Sequence, residues 1–385
     1  MMGKKKLVVI YPYRFRDFDW QRFELDFLAP HVEIHVHELI DALTPEFGAA
    51  YANQSENPAV KRFVSLKDWR KEFKKIYEDA IIFNHVRPIN LKSTLICATL
   101  RRSGVSVVGF STGGVPIVDL RIDPTRRDLP KLLKNALHFF RRNLLLIFMP
   151  NKVVVGGTEQ VNRVRRDFPR VTKRVLANSS DFSNSIGLKE IVASSESKAV
   201  YLDIGFPGFP SDFLLEKVLS NVNSDNWYPA LSNFFELVER FLGITVEISA
   251  HPKHYGRDHT RFFGSRIVLC GNSVLEVRNS ELVISTVSTS VSYAVSFHKP
   301  LILVTSDEII NDKNAYLNES IKIMAVETGA RIFNIDHEYT EQDLREAMVI
   351  DHAKYESYKR KYLTSRTDGK PNYQVLLDEV IFAED

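Results

Sequence analysis

Two short stretches of this chain carry the residue types that hold and release phosphate. Residues 247–252 read Glu-Ile-Ser-Ala-His-Pro, and residues 282–290 read Leu-Val-Ile-Ser-Thr-Val-Ser-Thr-Ser, ahead of His-Lys-Pro-Leu-Ile-Leu-Val at 298–304. Each is an apolar strand pattern ending in small, hydrogen-bonding residues before a helix-like stretch, the place where α/β proteins hold phosphate. A histidine at such a strand end, stiffened by the proline after it, aims its imidazole into the crevice above the sheet, where it can donate to a phosphate oxygen; a histidine that satisfies a turn carbonyl is the structural alternative. His251, Pro252 and Lys253 are therefore one half of an expected nucleotide-phosphate site. Ser285, Thr286, Ser288 and Thr289 are the other half. A helix is expected to begin at Thr289 or Ser290, and five hydroxyls within residues 285–290 exceed the single one that a helix cap uses.

A third stretch, Ala199 to Asp212, puts Asp203 at the end of an apolar strand and before the Gly/Pro-rich loop Ile204-Gly-Phe-Pro-Gly-Phe-Pro210. A carboxylate held at a strand end suits base or nucleophile chemistry on a sugar, and a turn-initiating aspartate is the structural alternative. Glu276, at the start of an expected helix between the two phosphate-type strands, either holds ribose hydroxyls or complements the helix dipole. His254 and His259 lie near His251, but no carboxylate or cysteine of ligand spacing accompanies them, so no metal is expected.

In the first half, Arg14 and Arg16 follow the first expected strand, His85 and Arg87 the third, and Ser111 and Gly113 the fourth. All six are candidates for an acceptor or a sugar carboxylate, because strand C-termini line a Rossmann cleft. No GxGxxG follows the first strand and no GxxxxGK[ST] occurs, which argues against a nicotinamide dinucleotide and a P-loop.

These residues need strands and helices in alternation, and the apolar pattern supplies them. Strands are expected at Lys6–Tyr11, Val32–His37, Ala80–Asn84, Val105–Phe110 and Val153–Gly156, with helices at Trp20–Leu28, Leu66–Ile76 and Ile89–Ser103. After a Ser/Asn-rich connection at Asn178–Lys198, strands are expected at Ala199–Leu202, Thr245–Ser249, Ile267–Leu269, Leu282–Ser285, Leu301–Val304 and Arg331–Ile335. The helices between them are Trp227–Leu242, Ser273–Asn279 and Ser290–Phe297. Buried β-branched runs separated by helices imply parallel sheets covered on both faces. The expected fold class is α/β, of the GT-B kind: two Rossmann-like domains facing a central cleft. Residues 1–177 would form the N-terminal acceptor domain and 199–345 the donor domain, with helices at 346–385 packing back on the first.

The bulk numbers agree with two domains. The chain has 385 residues, 44% hydrophobic and 26% charged, and a net charge of +3. No apolar run reaches the roughly 18–20 residues of a membrane span. The N-terminal Met-Met-Gly-Lys-Lys-Lys turns polar and aromatic too soon for a signal peptide. Cys97 and Cys270 sit in apolar surroundings, as reduced thiols of a cytoplasmic protein do. Arginine and lysine crowd residues 121–174, a stretch suited to an anionic membrane surface, an anionic glycan or a nucleotide, or to a solvated face. The amphipathic run 132–149 is expected as a long helix packed on the core, with the surface of an anionic membrane as the alternative. Nothing suggests a nucleic-acid partner.

With these motifs in place, residues 199–305 resemble the bacterial CMP-sugar transferases of the GT-B fold. Those enzymes carry, in order, an acidic motif, a His-Pro motif and a Ser/Thr motif. Tyr-Leu-Asp203-Ile-Gly205, Ala-His251-Pro252 and Ser285-Thr-Val-Ser288-Thr289 match that order. The resemblance implies that His251 and the 285–289 hydroxyls hold the CMP phosphate without a metal or other cofactor. It implies that Asp203 is either the base of an inverting transferase acting on sialic or other nonulosonic acid, or the nucleophile of a retaining β-Kdo transferase. Ile204 stands where the sialyltransferase motif often has a second acid, and the loop 206–212 is similar to the Kdo group. The expectation is therefore a Kdo transferase using CMP-β-Kdo and a glycan or lipid-linked glycan acceptor. It would act in lipopolysaccharide or capsule assembly, at the cytoplasmic face of the inner membrane. CDP-glycerol-type glycerophosphotransferases share a His-Pro near a Ser-rich strand end and are the alternative.

Overall fold

The structure, a computed structural model, describes residues 4–45, 55–88, 90–116, 150–167, 173–188, 197–208, 222–251, 258–312 and 316–383. The expected helix at 132–149 and most of the basic stretch lie outside them, as do Pro252, Lys253 and His254. The described residues up to Gly113, those from 150 to Ser183 and those from Thr364 onward form one compact unit. Gly114 to Pro116 and Asn184–Leu363 form a second. The helical region expected at 346–385 thus divides at Leu363.

Unit 1 is built on a seven-stranded parallel sheet: β1 (Lys6–Tyr11), β2 (Glu33–Glu38), β3 (Val60–Arg62), β4 (Ala80–Asn84), β5 (Ser106–Ser111), β6 (Lys152–Val155) and β7 (Lys173–Leu176). Their order across the sheet is β3-β2-β1-β4-β5-β6-β7, so the direction of winding reverses between β1 and β4. One face buries Leu7, Val9, Phe83, Val108, Val154 and Val175 against Leu25 and Leu28. The other buries Val8, Ile10 and Ile82 against Trp69, Phe73, Ile96 and Leu100. Both faces are covered, so the central strands read as continuous apolar runs. Three local expectations need correction. The helix foreseen at Trp20–Leu28 is two short ones, Asp17–Arg22 and Leu25–Leu28, because Glu24 takes a left-handed conformation (φ 54°). β3 and β7 were not foreseen, since both are short and charged. The Ser/Asn-rich connection contains the helix Ser180–Ile186.

Unit 2 has six parallel strands: β8 (Lys198–Leu202), β9 (Thr245–Ser249), β10 (Val268–Leu269), β11 (Leu282–Ser285), β12 (Leu301–Thr305) and β13 (Arg331–Asn334). Their order is β10-β9-β8-β11-β12-β13, with the reversal between β8 and β11. The longest of the described helices, Ser224–Leu242, starts on an Asn223 cap that accepts the Asp225 N–H and stops at Gly243 in the left-handed region. It buries Trp227, Tyr228, Leu231, Phe234, Phe235 and Val238.

Candidate functional site

In open α/β sheets, ligands lie beyond the strand C-termini where the winding reverses. In unit 2 that point is flanked by the ends of β8 and β11, and Asp203 and Thr286 are the residues that follow them. Asp203 is 4% exposed. Its main-chain N–H donates to the Ser249 carbonyl at 3.0 Å. Its carboxylate accepts the Gly205 N–H at 2.8 Å and the main-chain N–H of His251. The chain can turn back on itself there because Gly205 takes φ 74°. Burial disfavours the charged carboxylate more than these two donors favour it, and its pKa is pushed up from 3.8 to about 7. Tyr201 and Tyr228 flank it, and both phenols are held above their ordinary pKa, first by burial and then by the Asp203 charge. Asp203 and His251, 48 positions apart in sequence (251 − 203), thus meet through the His251 backbone. His251 is half-buried.

Strand register divides the expected hydroxyl cluster. Leu202 pairs with both Ser249 and Ser285, so those two serines project on one face of the sheet. On that face Ser249 Oγ meets Ser273 Oγ at 2.8 Å and also bonds the Glu276 carboxylate. Thr286 is on the other face, where its Oγ1 lies 3.5 Å from the Tyr201 hydroxyl. Ser288 Oγ accepts the Ser290 N–H at 3.2 Å within the turn, and Thr289 is exposed. The helix that follows begins at Val291, spans six residues and has no side-chain cap. The five hydroxyls are therefore not one cradle. Two of the expected groups do have unused valences in buried positions: Ser285 Oγ and Glu276 Oε2 have no hydrogen-bond partner. The Glu276 carboxyl is held above its ordinary pKa, chiefly by burial.

In unit 1 the structure separates the expected residues by role. Arg14 is 4% exposed and is engaged by Glu38 at 2.5 Å and by both carboxylate oxygens of Asp41 at 3.1 Å. Arg16 pairs with Asp19 at 3.2 Å. Both guanidiniums close the first loop onto neighbouring acids. Ser111 Oγ donates to Gln160 Oε1 at 3.1 Å, and Gln160 Nε2 donates to the Gly113 carbonyl at 2.9 Å, so that pair braces β5. Arg87 is exposed.

His85 stands differently. It follows β4 at the winding reversal and lines a cavity of about 30 Å³ with Phe23, Phe110, Arg22, Thr112 and Ser180. Its ring is sandwiched between Phe110 and Phe23, with both centroids 4.7 Å away. Burial lowers its pKa to about 3, so the imidazole is neutral and offers one donor and one acceptor rather than a charge. The sequence pointed to His85 but missed its aromatic partners. Phe23 lies in an unforeseen helix break and Phe110 one strand away.

Two doubly wound parallel sheets in separate units, each with polar residues at its reversal point, define the GT-B class of fold. Solved structures agree. The chain is similar to the UDP-GlcNAc 2-epimerase of Methanocaldococcus jannaschii, solved in complex with UDP-GlcNAc and UDP (TM-score 0.50, 13% identity, 97% of this chain and 98% of that one). It is similar to the wall teichoic acid polymerase TagF, solved as a His-to-Asn variant with CDPG (TM-score 0.53, 9% identity, 97% and 87%). A third likeness is the glycotransferase of kitacinnamycin (TM-score 0.50, 10% identity, 97% and 98%). At these identities the likeness is one of fold. No protein-family model matches the chain, and no curated protein matches it in sequence.

Proposed function

We propose that this chain is a glycosyltransferase that moves a 2-keto-3-deoxy sugar acid, Kdo, from CMP-β-Kdo to a glycan acceptor in bacterial surface-polysaccharide assembly. The observation that carries the reading is Asp203: a buried carboxyl with a pKa near 7, at the winding reversal of unit 2 and tied to the residue that opens the His-Pro motif. Burial that penalises the carboxylate favours any step that neutralises it. In a retaining reaction the carboxylate attacks the anomeric carbon and CMP departs with the bonding electrons; the acceptor oxygen then displaces the carboxylate from the glycosyl ester, and the hydroxyl proton passes to solvent. In an inverting reaction the same carboxylate takes the acceptor proton as the sugar–phosphate bond breaks. The anomeric configuration of the product separates the two.

His251, Lys253 and Thr286 are assigned to the departing phosphate, Glu276 and Ser285 to the nucleoside, and the strand ends of unit 1 around His85 and Arg87 to the acceptor. No metal is required in this scheme. Among the described residues no helix is long and apolar enough to cross a membrane. We place the enzyme in the cytoplasm, with the basic stretch 121–174 against the inner membrane. The likeness to a TagF structure holding CDPG supports a second reading, transfer of glycerol phosphate from CDP-glycerol.

The test is a thermal-shift titration with CMP, CDP, UDP, GDP and ADP, followed by turnover of CMP-Kdo and CDP-glycerol. Ligand at about 100 times its Kd stabilises by roughly 2.7 kcal/mol. Stabilisation by CMP together with CMP release from CMP-Kdo is the expected result. Consumption of CDP-glycerol alone selects the second reading, and a response confined to UDP, GDP or ADP overturns both.

A further inference from the structure

The loop that carries Asp203 is anchored at two ends. At its start, Asp203 is fixed to β9 through the Ser249 carbonyl, and its carboxylate takes the Gly205 N–H at 2.8 Å. At its far end, the Gly208 N–H donates to the Tyr228 hydroxyl at 3.2 Å. Tyr228 belongs to the longest described helix of the unit, is 5% exposed, and packs on Phe262 with ring centroids 4.4 Å apart. The loop presses so closely on this pair that a Cβ at Gly208 would lie 2.7 Å from Tyr228 Oη and 2.7 Å from Phe262 Cζ. No side chain fits between the loop and the two rings. The residues from 203 to 208 are thus a short arch, with one foot on the sheet and the other on a rigid phenol.

The geometry points to Tyr228 as a positioning residue for Asp203. Its hydroxyl holds the far foot of the arch and so keeps the Gly205 N–H on the carboxylate. This assignment rests on the proposed role of Asp203 and adds a residue to which no phosphate or sugar contact is assigned. Three titratable residues surround the carboxyl among the described residues: Tyr201 on its own strand, Tyr228 on the long helix, and His251, which reaches it through its main-chain N–H. Both phenols stay protonated across the working range, since burial and the Asp203 charge each raise their pKa. The Gly205 N–H favours the carboxylate form, so releasing the arch raises the carboxyl pKa further.

Tyr228→Phe keeps the ring and its contact with Phe262 but removes the acceptor of the Gly208 N–H. Gly208→Ala releases the arch from the other side, by driving a methyl group into the rings. The measurement is a pH titration of the Asp203 carboxyl by NMR on 13C-labelled aspartate, assigned with Asp203→Asn, in the full chain and without substrate. Both variants should titrate at least about half a pH unit above the wild type, and the acid limb of kcat should move with them. That lowers kcat about threefold at pH 6 and leaves CMP affinity unchanged. A tyrosine that only fills space would lower Tm and leave the titration where it was. An Asp203 titration that is unmoved, or moved downward, in both variants overturns the assignment. The NMR reading needs no turnover, so a protein inactive on CMP-Kdo whose Asp203 titration still moves refutes the donor and leaves Tyr228 in its role.

Discussion

Asp203→Asn should make the protein more stable at alkaline pH while abolishing its activity. Burial raises the carboxyl from 3.8 to about 7. A group that binds its proton more tightly when folded stabilises the fold fully below its unfolded pKa, and that contribution is lost as pH rises through the folded value. For Asp203 the window runs from 3.8 to about 7. A difference of about 3 units at 1.36 kcal/mol each means that ionisation destabilises the wild type by about 4 kcal/mol at pH 8. At pH 5 the same relation gives about 1.6 kcal/mol. With 4% exposure there is little solvent screening to discount. An asparagine cannot ionise, but its amide NH2 faces one of the two N–H donors, a loss of about 1–2 kcal/mol at every pH. The variant should therefore match the wild type near pH 5 and exceed it by about 2 kcal/mol near pH 8. The check is a pair of denaturant or thermal melts at each pH. Transfer should fall by at least about 10²–10⁴-fold in the same preparation. Stability curves that run parallel from pH 5 to 8 would refute the reasoning, because they would mean that Asp203 is already ionised in the folded protein at pH 5 and that burial does not raise its pKa.

Other expectations follow from the same geometry. Arg14→Ala strips the buried Glu38 of its closest cation and should destabilise unit 1 by about 3–5 kcal/mol, with CMP affinity intact, as read by urea unfolding and calorimetry. Ser285→Ala deletes a fully buried hydroxyl that has no partner, so Tm should stay level or rise; a tenfold weaker CMP affinity would mark the hydroxyl as a ligand contact. His85, with its pKa near 3, stays neutral from pH 5 to 8, so acceptor KM should show no step near pH 6.5; such a step, absent in His85→Asn, would mean that the ring is charged. EDTA should leave turnover of the purified enzyme unchanged, and inhibition reversed by added divalent cation would contradict a metal-free mechanism.

Strands were most readable where burial on two faces demands unbroken apolar runs, such as Leu7–Tyr11 and Leu301–Thr305, although the edge strands β10 and β13 were also foreseen. The edge strands β3 and β7 escaped for the converse reason: with exposed positions, Val-Lys-Arg and Lys-Arg-Val-Leu have no pattern to read. The helix break at Glu24 was equally hidden. Its carboxylate accepts the Ser183 hydroxyl and the Tyr373 N–H, partners far away in sequence. At the site, residue types pointed to Asp203, His251 and Glu276, but not to their orientation. The alternation of side chains along β11 could have warned that Ser285 and Thr286 face opposite ways. Nothing local could have told that Arg14 is engaged by Glu38, or that Tyr228 reaches the Asp203 loop, since both are contacts between separate elements.

The return of the chain to unit 1 after unit 2 bears on how the protein is made. Val375, Leu376, Val380 and Ile381 belong to the same core as Leu7, Val9, Leu25 and Val154. Every described strand of unit 2 lies between residues 198 and 334. During synthesis the sheet of unit 1 emerges first, yet part of one apolar face, beside Leu25 and Leu28, lacks its cover until residues 364–381 leave the ribosome, by which time unit 2 can already have closed. The earlier-made half is thus the later to finish, and translation of the intervening residues sets how long that face is open to chaperones or to a neighbouring chain.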